Sequence, residues 1–250
     1  MVPLAVRPED LATILAALPR MGFVGANLTL PHKQAALLLM DEVDDAARAI
    51  GAVNTVTVRD GRLFGSNSDG YGFVAHLTHS FPEWSKACDR AVVLGAGGAA
   101  RGIAYALAAA GVPRIALVNR TADKAQLLAE SLHPHVSCRF DVVAWRARAE
   151  ALAGASVVVN TTSLGMAGQP PLDIALDALP PGALVADIVY VPLETPLLKA
   201  AAARGHPVLD GLGMLIHQAR PGFQAWFGRD PEVTDDVRRA LLMSLKDEGA

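Results

Sequence analysis

"GAGGAA" places Gly95, Gly97 and Ala100 in a G-x-G-x-x-A pattern, after the apolar run "RAVVL" and before the small-residue stretch "RGIAYALAAAG". The first glycine permits a tight turn, the second lets a pyrophosphate approach the backbone, and the small third residue lets helix and strand pack closely. A helix opening here offers unpaired N–H groups and a partial positive charge to phosphates. Gly95, Ala96, Gly97, Gly98 and Ala99 are therefore candidate dinucleotide contacts. A plain packing turn, the competing reading, would not need two glycines and an alanine at these places. At the end of the next strand, about 20 residues on, an NAD site would carry Asp or Glu for the ribose 2′-hydroxyl. The chain instead reads "NRTADK". Arg120 can grip a 2′-phosphate through paired N–H donors, and Asn119, Thr121 and Lys124 can add more. NADP is favoured over NAD, the alternative being a solvated turn before a helix.

An NADP site implies hydride transfer, which creates or consumes an alkoxide and needs a group to deliver or accept a proton. In "NLTLPHK", Lys33 follows a proline turn, and "SNSDGYGF" sets Asp69 among small polar residues where a carboxylate can face a cleft. Taken singly, each reads first as a surface charge. No metal is expected: the seven histidines are scattered, and "HPH" at 133 to 135 reads as solvated loop histidines.

These residues need elements to position them. "DLATILAAL" reads as a helix capped by Asp10, "FVGANLTL" as a strand, and "HKQAALLLM" and "EVDDAARAIG" as helical segments. "AVNTVTVRDGRLFGSNSDG" holds two extended runs around an Asp-Gly turn, a hairpin signal. From Lys86 the pattern becomes strand, glycine turn, helix, strand, and further units follow at "ADKAQLLAESL", "VSCRFDVVAW", "ASVVVN", "ALVADIVY" and "ETPLLKAAAARG" before "PVLDG". Continuously apolar strands mean that both sheet faces are covered, as in doubly wound folds. "GLGMLIHQARPGFQAWFG" and "TDDVRRALLMSL" read as closing helices. The expected fold is α/β: a Rossmann-type NADP-binding domain over 86–211 and a smaller α/β substrate domain over 1–85 and 212–250.

A chain of 250 residues, 52% hydrophobic and 19% charged, can bury a sizeable core. Its net charge of −3 and lack of a lysine/arginine block give no general attraction to nucleic acid or anionic membrane. Cys88 and Cys138 lack the paired spacing of a redox or zinc motif, which suits a reducing cytoplasm. The N-terminus has no signal-peptide pattern, and no apolar run approaches the ~20 residues that span a bilayer. A cytoplasmic protein recognising a small-molecule substrate is expected, with no nucleic-acid or membrane partner; the assembly is not readable, and a homodimer stays open.

Eight stretches in order, "GFVGANLTLPHK", "GAVNT", "NSDGYGF", "GAGGAARG", "NRTADK", "NTTSLGM", "DIVYVPLETPLL" and "DGLGMLIHQA", resemble the motif series of shikimate dehydrogenases over nearly the whole chain. The resemblance implies NADP-linked, reversible reduction of 3-dehydroshikimate to shikimate, a step of aromatic amino acid biosynthesis. It implies Lys33 as the acid/base lysine with Asp69 as its carboxylate partner. Thr29, Asn54 and Gln218 would bind ring hydroxyls with Asp69, and Tyr190 would line the same pocket. Gly95 to Ala99 and Asn119 to Lys124 would hold NADP, Ile188 and Gly211 would lie near the nicotinamide, and Asp45 matches a position facing the cofactor. Ser68 stands where the family usually has threonine, keeping the hydroxyl. The family's first strand and helix, with an "HSxSP"-like motif whose serines hold the substrate carboxylate, does not occur in these residues, so the substrate domain is expected to be N-terminally truncated. Alternatives are an NADP-binding remnant without turnover and a quinate or aminoshikimate dehydrogenase relative; quinate use is usually linked with NAD, which "NRTADK" opposes. A methylene-tetrahydrofolate dehydrogenase is a further alternative, opposed by the pairing of "NLTLPHK" with "GLGMLIHQ".

Overall fold

The computed structural model describes residues 2–247. Two compact units emerge, Met1–Asp69 with Ala219–Pro231, and Gly70–Gln218 with Glu232–Ala250.

In the first unit, α1 (Leu11–Ala17) follows a 3-10 turn at Pro8–Asp10. Asp10 does not cap it as expected. The 3-10 turn runs directly into the helix, so the Asp10 backbone is already helical (φ −93°, ψ −8°), whereas a cap needs an extended one. The Asp10 carboxylate instead accepts from Arg7 Nε at 2.8 Å. Next come β1 (Gly25–Asn27), α2 (Lys33–Ala36), β2 (Glu42–Val43) and α3 (Asp45–Ile50). The Asp44 carboxylate caps α3 by accepting from Ala47 N at 2.7 Å, and Gly51 at φ 72° ends it. β3 (Thr55–Arg59) and β4 (Arg62–Ser66) form the expected hairpin. Its turn residues Asp60 and Gly61 have φ of 50° and 76°, the paired positive values of a type I′ turn. The sheet runs β1-β3-β4-β2, with β2 parallel to β4 and the other pairs antiparallel. Leu11, Leu15 and Leu18 pack with Val53, Val56 and Leu63 beneath it.

α4 (Asp69–Ser80) begins at the last residue of that unit and continues in the second. There β5 (Ala91–Leu94), α5 (Gly98–Ala109), β6 (Arg114–Asn119), α6 (Ala122–Leu132), β7 (Arg139–Ala144), β8 (Val157–Asn160), β9 (Leu184–Asp187), α7 (Pro196–Ala203) and β10 (Val208–Leu209) precede α8 (Gly211–Phe227), which from Ala219 on belongs to the first unit, and α9 (Asp235–Asp247). The sheet is wholly parallel, in the order β10-β9-β8-β5-β6-β7. The chain winds out from β5 to β7 and returns beyond β5 to β8, so the strand order reverses between β5 and β8, where such folds bind ligands. Every residue of β5, β8 and β9 is buried. Ala91 and Val93 face one apolar cluster with Ile103 and Leu107, while Val92 and Leu94 face another with Leu152 and Leu197. The compact units divide at Asp69, and Phe73 and Leu77 of α4 pack into the cluster of Ile103 and Leu107. Among the described residues no helix is long and apolar enough to cross a membrane.

Candidate active site

Lys33 and Asp69, 36 residues apart in sequence, are brought into contact within the first unit. His32 N donates to Thr29 O at 2.9 Å across the Leu30–Pro31 turn, and Lys33 opens the short α2 behind it. Lys33 O accepts from Val53 N (2.8 Å), while Leu28 N donates to Asn54 O (2.8 Å), so the segment entering β3 anchors both sides of the turn. Asp69 lies past the end of β4, where its own N donates to Asn67 Oδ1 at 3.1 Å. Lys33 Nζ then meets Asp69 Oδ2 at 2.8 Å, with 24% and 16% of the two side chains exposed. That exposure leaves both reachable by a ligand while shielding the pair from full solvent screening.

The second oxygen of Asp69 is also engaged. Asn54, 5% exposed, donates from Nδ2 to Asp69 Oδ1 at 2.7 Å and to Ser68 Oγ at 3.2 Å. Its Oδ1 accepts from Ser68 N (3.0 Å) and Thr55 Oγ1 (2.9 Å), which fixes the amide's orientation. Asn67 Nδ2 donates to Ala52 O at 2.9 Å. The carboxylate is thus held by donors on both oxygens and can orient the ammonium. An ammonium has three N–H donors, so Lys33 can hold Asp69 and still address a ligand oxygen. Asn67 was missed from sequence, although it stands inside the quoted "NSDGYGF" stretch.

In the second unit, Gly95 closes β5 at φ 115°, and a Cβ there would lie 2.7 Å from Thr161 Oγ1, so a side chain is excluded on two counts. Gly97 and Gly98 are exposed, and a Cβ built on either meets nothing within 4 Å, leaving open space above the turn. Gly97 stands at the N-cap of α5 without a side-chain cap, so the first N–H groups stay available to an anion. At the end of β6, Asn119 Nδ2 donates to Thr121 O at 2.8 Å. Arg120 and Lys124 are exposed, and among the described residues neither makes an ion pair. An open glycine turn, a bare helix N-terminus and two uncommitted cations fit a dinucleotide carrying a 2′-phosphate.

Thr29 is exposed in the turn before Lys33, and Asp45 is the exposed first residue of α3. Ile188 and Tyr190 follow β9, Tyr190 with 39% exposure. Gly211 starts α8 against this segment: a Cβ there would lie 2.2 Å from Ile188 O. Gln218 lies further along α8, half-buried. Among the described residues no group of three or more His, Cys, Asp or Glu side chains could hold a metal ion.

Known families match in three consecutive stretches. Residues 1–56 match the shikimate dehydrogenase substrate binding domain, 77–165 the shikimate / quinate 5-dehydrogenase family, and 211–242 the shikimate 5′-dehydrogenase C-terminal domain. Shikimate dehydrogenase (NADP(+)) of Paramagnetospirillum magneticum is 55% identical over 242 residues, which are 96% of this chain and 86% of that protein. Quinate dehydrogenase of Corynebacterium glutamicum, solved in complex with NAD, is similar in structure with a TM-score of 0.89 at 37% identity, covering 96% of this chain and 85% of that one. Shikimate 5-dehydrogenase of Listeria monocytogenes, solved with shikimate and NAD, follows with a TM-score of 0.87 at 30% identity, covering 95% and 84%. The chain belongs to the shikimate dehydrogenase family.

Proposed function

We infer that this protein is an NADP-dependent oxidoreductase that reversibly reduces 3-dehydroshikimate to shikimate. The observation that carries the reading is the Lys33–Asp69 pair, held by Asn54 in a chain 55% identical to a shikimate dehydrogenase (NADP(+)). When bound, the nicotinamide cofactor supplies or takes up the hydride. In reduction, Lys33 donates a proton from Nζ to the ketone oxygen as negative charge develops there; in oxidation it receives the proton of the alcohol. Asp69 orients the ammonium and keeps a compensating charge beside it. Asn54 fixes Asp69 by donating from Nδ2 to the carboxylate Oδ1 and, with Thr29, is assigned to the ring hydroxyls; Tyr190 and Gln218 are proposed as further substrate ligands.

Gly95, Ala96, Gly97, Gly98 and Ala99 are assigned to the pyrophosphate, and Asn119, Arg120, Thr121 and Lys124 to the adenosine end with its 2′-phosphate. Ile188 and Gly211 are assigned to the nicotinamide and Asp45 to the cofactor's surroundings. By function the chain divides into 1–85 with 212–250 for the substrate and 86–211 for NADP. This division follows the assigned ligands, whereas the compact units follow packing.

An NADP+ titration run beside a shikimate oxidation assay tests the reading. The expected result is saturable NADP+ binding and a shikimate-dependent gain in NADPH absorbance that exceeds the gain with quinate and NAD+. Cofactor binding without any such gain would make this a binding protein and overturn the assignment.

A further inference from the structure

The stretch "NTTSLGM" takes no part in the roles assigned above, yet its first residue begins a buried network. Asn160, Asp187 and Thr195 are 0%, 2% and 0% exposed. Asp187 Oδ1 accepts from Asn160 Nδ2 and from Val189 N, both at 3.0 Å, and Oδ2 accepts from Thr195 Oγ1 at 2.8 Å. Asn160 O accepts from Ile188 N at 3.1 Å, and Val191 O accepts from Ala167 N at 2.9 Å. The end of β9 and the segment after it are therefore stitched to the end of β8 and the segment after it at three points. The same stretch also reaches the glycine turn, because Thr161 Oγ1 donates to Leu94 O at 2.7 Å and fills the space where a Gly95 Cβ would stand. On the far side, Gly211 admits the Ile188 and Val189 carbonyls so closely that any side chain would collide with them.

A buried carboxylate is an expensive way to hold a loop. Burial pushes the Asp187 carboxyl above its ordinary range, and bonds from Val189, Thr195 and Asn160 only partly offset this. An apolar residue would fill the space without that cost. What only an acceptor with two oxygens provides is simultaneous orientation of the Val189 amide, the Asn160 amide and the Thr195 hydroxyl that also caps α7 by accepting from Leu198 N at 3.3 Å.

We propose that Asp187, gripped by Asn160 and Thr195, is a positioning residue that fixes residues 188–191 so that Ile188 and Tyr190 present their faces to the nicotinamide and the substrate. This rests on the functional reading above for those two residues. The network acts through the backbone it holds.

The test uses Asp187→Ala and the shape-conserving Asp187→Asn, with Thr195→Val and Thr195→Ser as a second pair should the alanine variant not fold. Three quantities are read: kcat for shikimate, NADP+ affinity by titration, and hydrogen exchange at the Val189 amide. Loss of orientation lowers kcat by about tenfold or more in Asp187→Ala and Thr195→Val, since an ångström of misplacement is costly in a reacting pair. NADP+ affinity stays within about threefold, because the glycine turn and residues 119–124 are untouched. Val189 exchange accelerates in both variants, Thr195→Ser recovers most of kcat, and Asp187→Asn, whose single oxygen keeps the bonds from Val189 N and Asn160 Nδ2 but sets an amide nitrogen against Thr195 Oγ1, recovers only part of it. Folded alanine and valine variants with unchanged kcat and unchanged Val189 exchange would overturn the proposal. So would losses of kcat that follow only the fraction of unfolded protein. If the parent protein binds NADP+ but does not oxidise shikimate, the functional reading falls, and Val189 exchange still decides whether Asp187 holds the segment.

Discussion

Asp69→Asn isolates the electrostatic role of the dyad. The native carboxylate accepts from Lys33 Nζ on Oδ2 and from Asn54 Nδ2 on Oδ1, at 2.8 and 2.7 Å. Neither donor can act as an acceptor in its present orientation. An asparagine has one oxygen, so its amide nitrogen must oppose either the ammonium or the Asn54 amide. Rotating the Asn54 amide to relieve this would lose the bonds its Oδ1 accepts from Ser68 N and Thr55 Oγ1. The variant therefore forfeits at least one hydrogen bond to a charged group, worth about 1.5–3 kcal/mol. If that stabilisation is expressed in the transition state, kcat falls roughly 10- to 150-fold. The cost to folding is smaller, because the partly exposed Lys33 can rehydrate; about 1 kcal/mol is the scale for such a pair. That corresponds to a fall in Tm of about 2–4 °C for a chain of this size. Steady-state oxidation of shikimate at saturating NADP+, alongside a circular-dichroism melt, reads both. A kcat within about threefold of the parent would refute the argument that Asp69 works by its charge.

Arg120→Ala should weaken NADP+ binding by roughly 10- to 100-fold while leaving NAD+ binding nearly unchanged, since only the 2′-phosphate loses a charge-assisted contact; equal losses for both cofactors, measured by titration, would count against Arg120 as the discriminator. His76, 8% exposed, is held below its ordinary pKa by burial, with Arg238 and His79 acting in the same direction and Asp210 opposing. The unfolded chain takes up this proton near pH 6.5 while the folded chain does not, so the stability contributed is fully present above about pH 6.5 and is lost as pH falls towards the depressed value. Urea unfolding between about pH 7.5 and 5.5 should show a shallower decline in His76→Phe than in the parent; parallel slopes would contradict the assignment.

Local features were legible where the signal was local. Asp60–Gly61 dictated a turn with two positive φ values, and "GAGGAA" dictated a strand, a turn and a helix. β2 escaped notice because "EVDDAARAIG" reads as one helical stretch, whereas Glu42 and Val43 become a strand only by pairing with Phe64 and Gly65 of β4. Asp10 carried a cap signature, but the 3-10 turn started by Pro8 placed its backbone inside the helix. The Lys33–Asp69 contact was not deducible from spacing, since it depends on β1 pairing with β3 in the register Asn27↔Thr55 and on Asn54 joining both sides. Motif order suggested the partners before geometry could. The Asp187 network remained hidden because Asn160 and Asp187 are 27 residues apart and meet only where β8 and β9 end side by side.

We propose that Lys33 moves the proton in an NADP-linked interconversion of 3-dehydroshikimate and shikimate. Shikimate oxidation by the parent and by Lys33→Ala, each first titrated with NADP+ to establish equal cofactor binding, tests it most directly. The expected result is NADPH formation by the parent and a kcat lower by about 100-fold or more in the variant, with little change in substrate affinity. A parent without turnover, or a Lys33→Ala variant that turns over at nearly the parent rate, would contradict it.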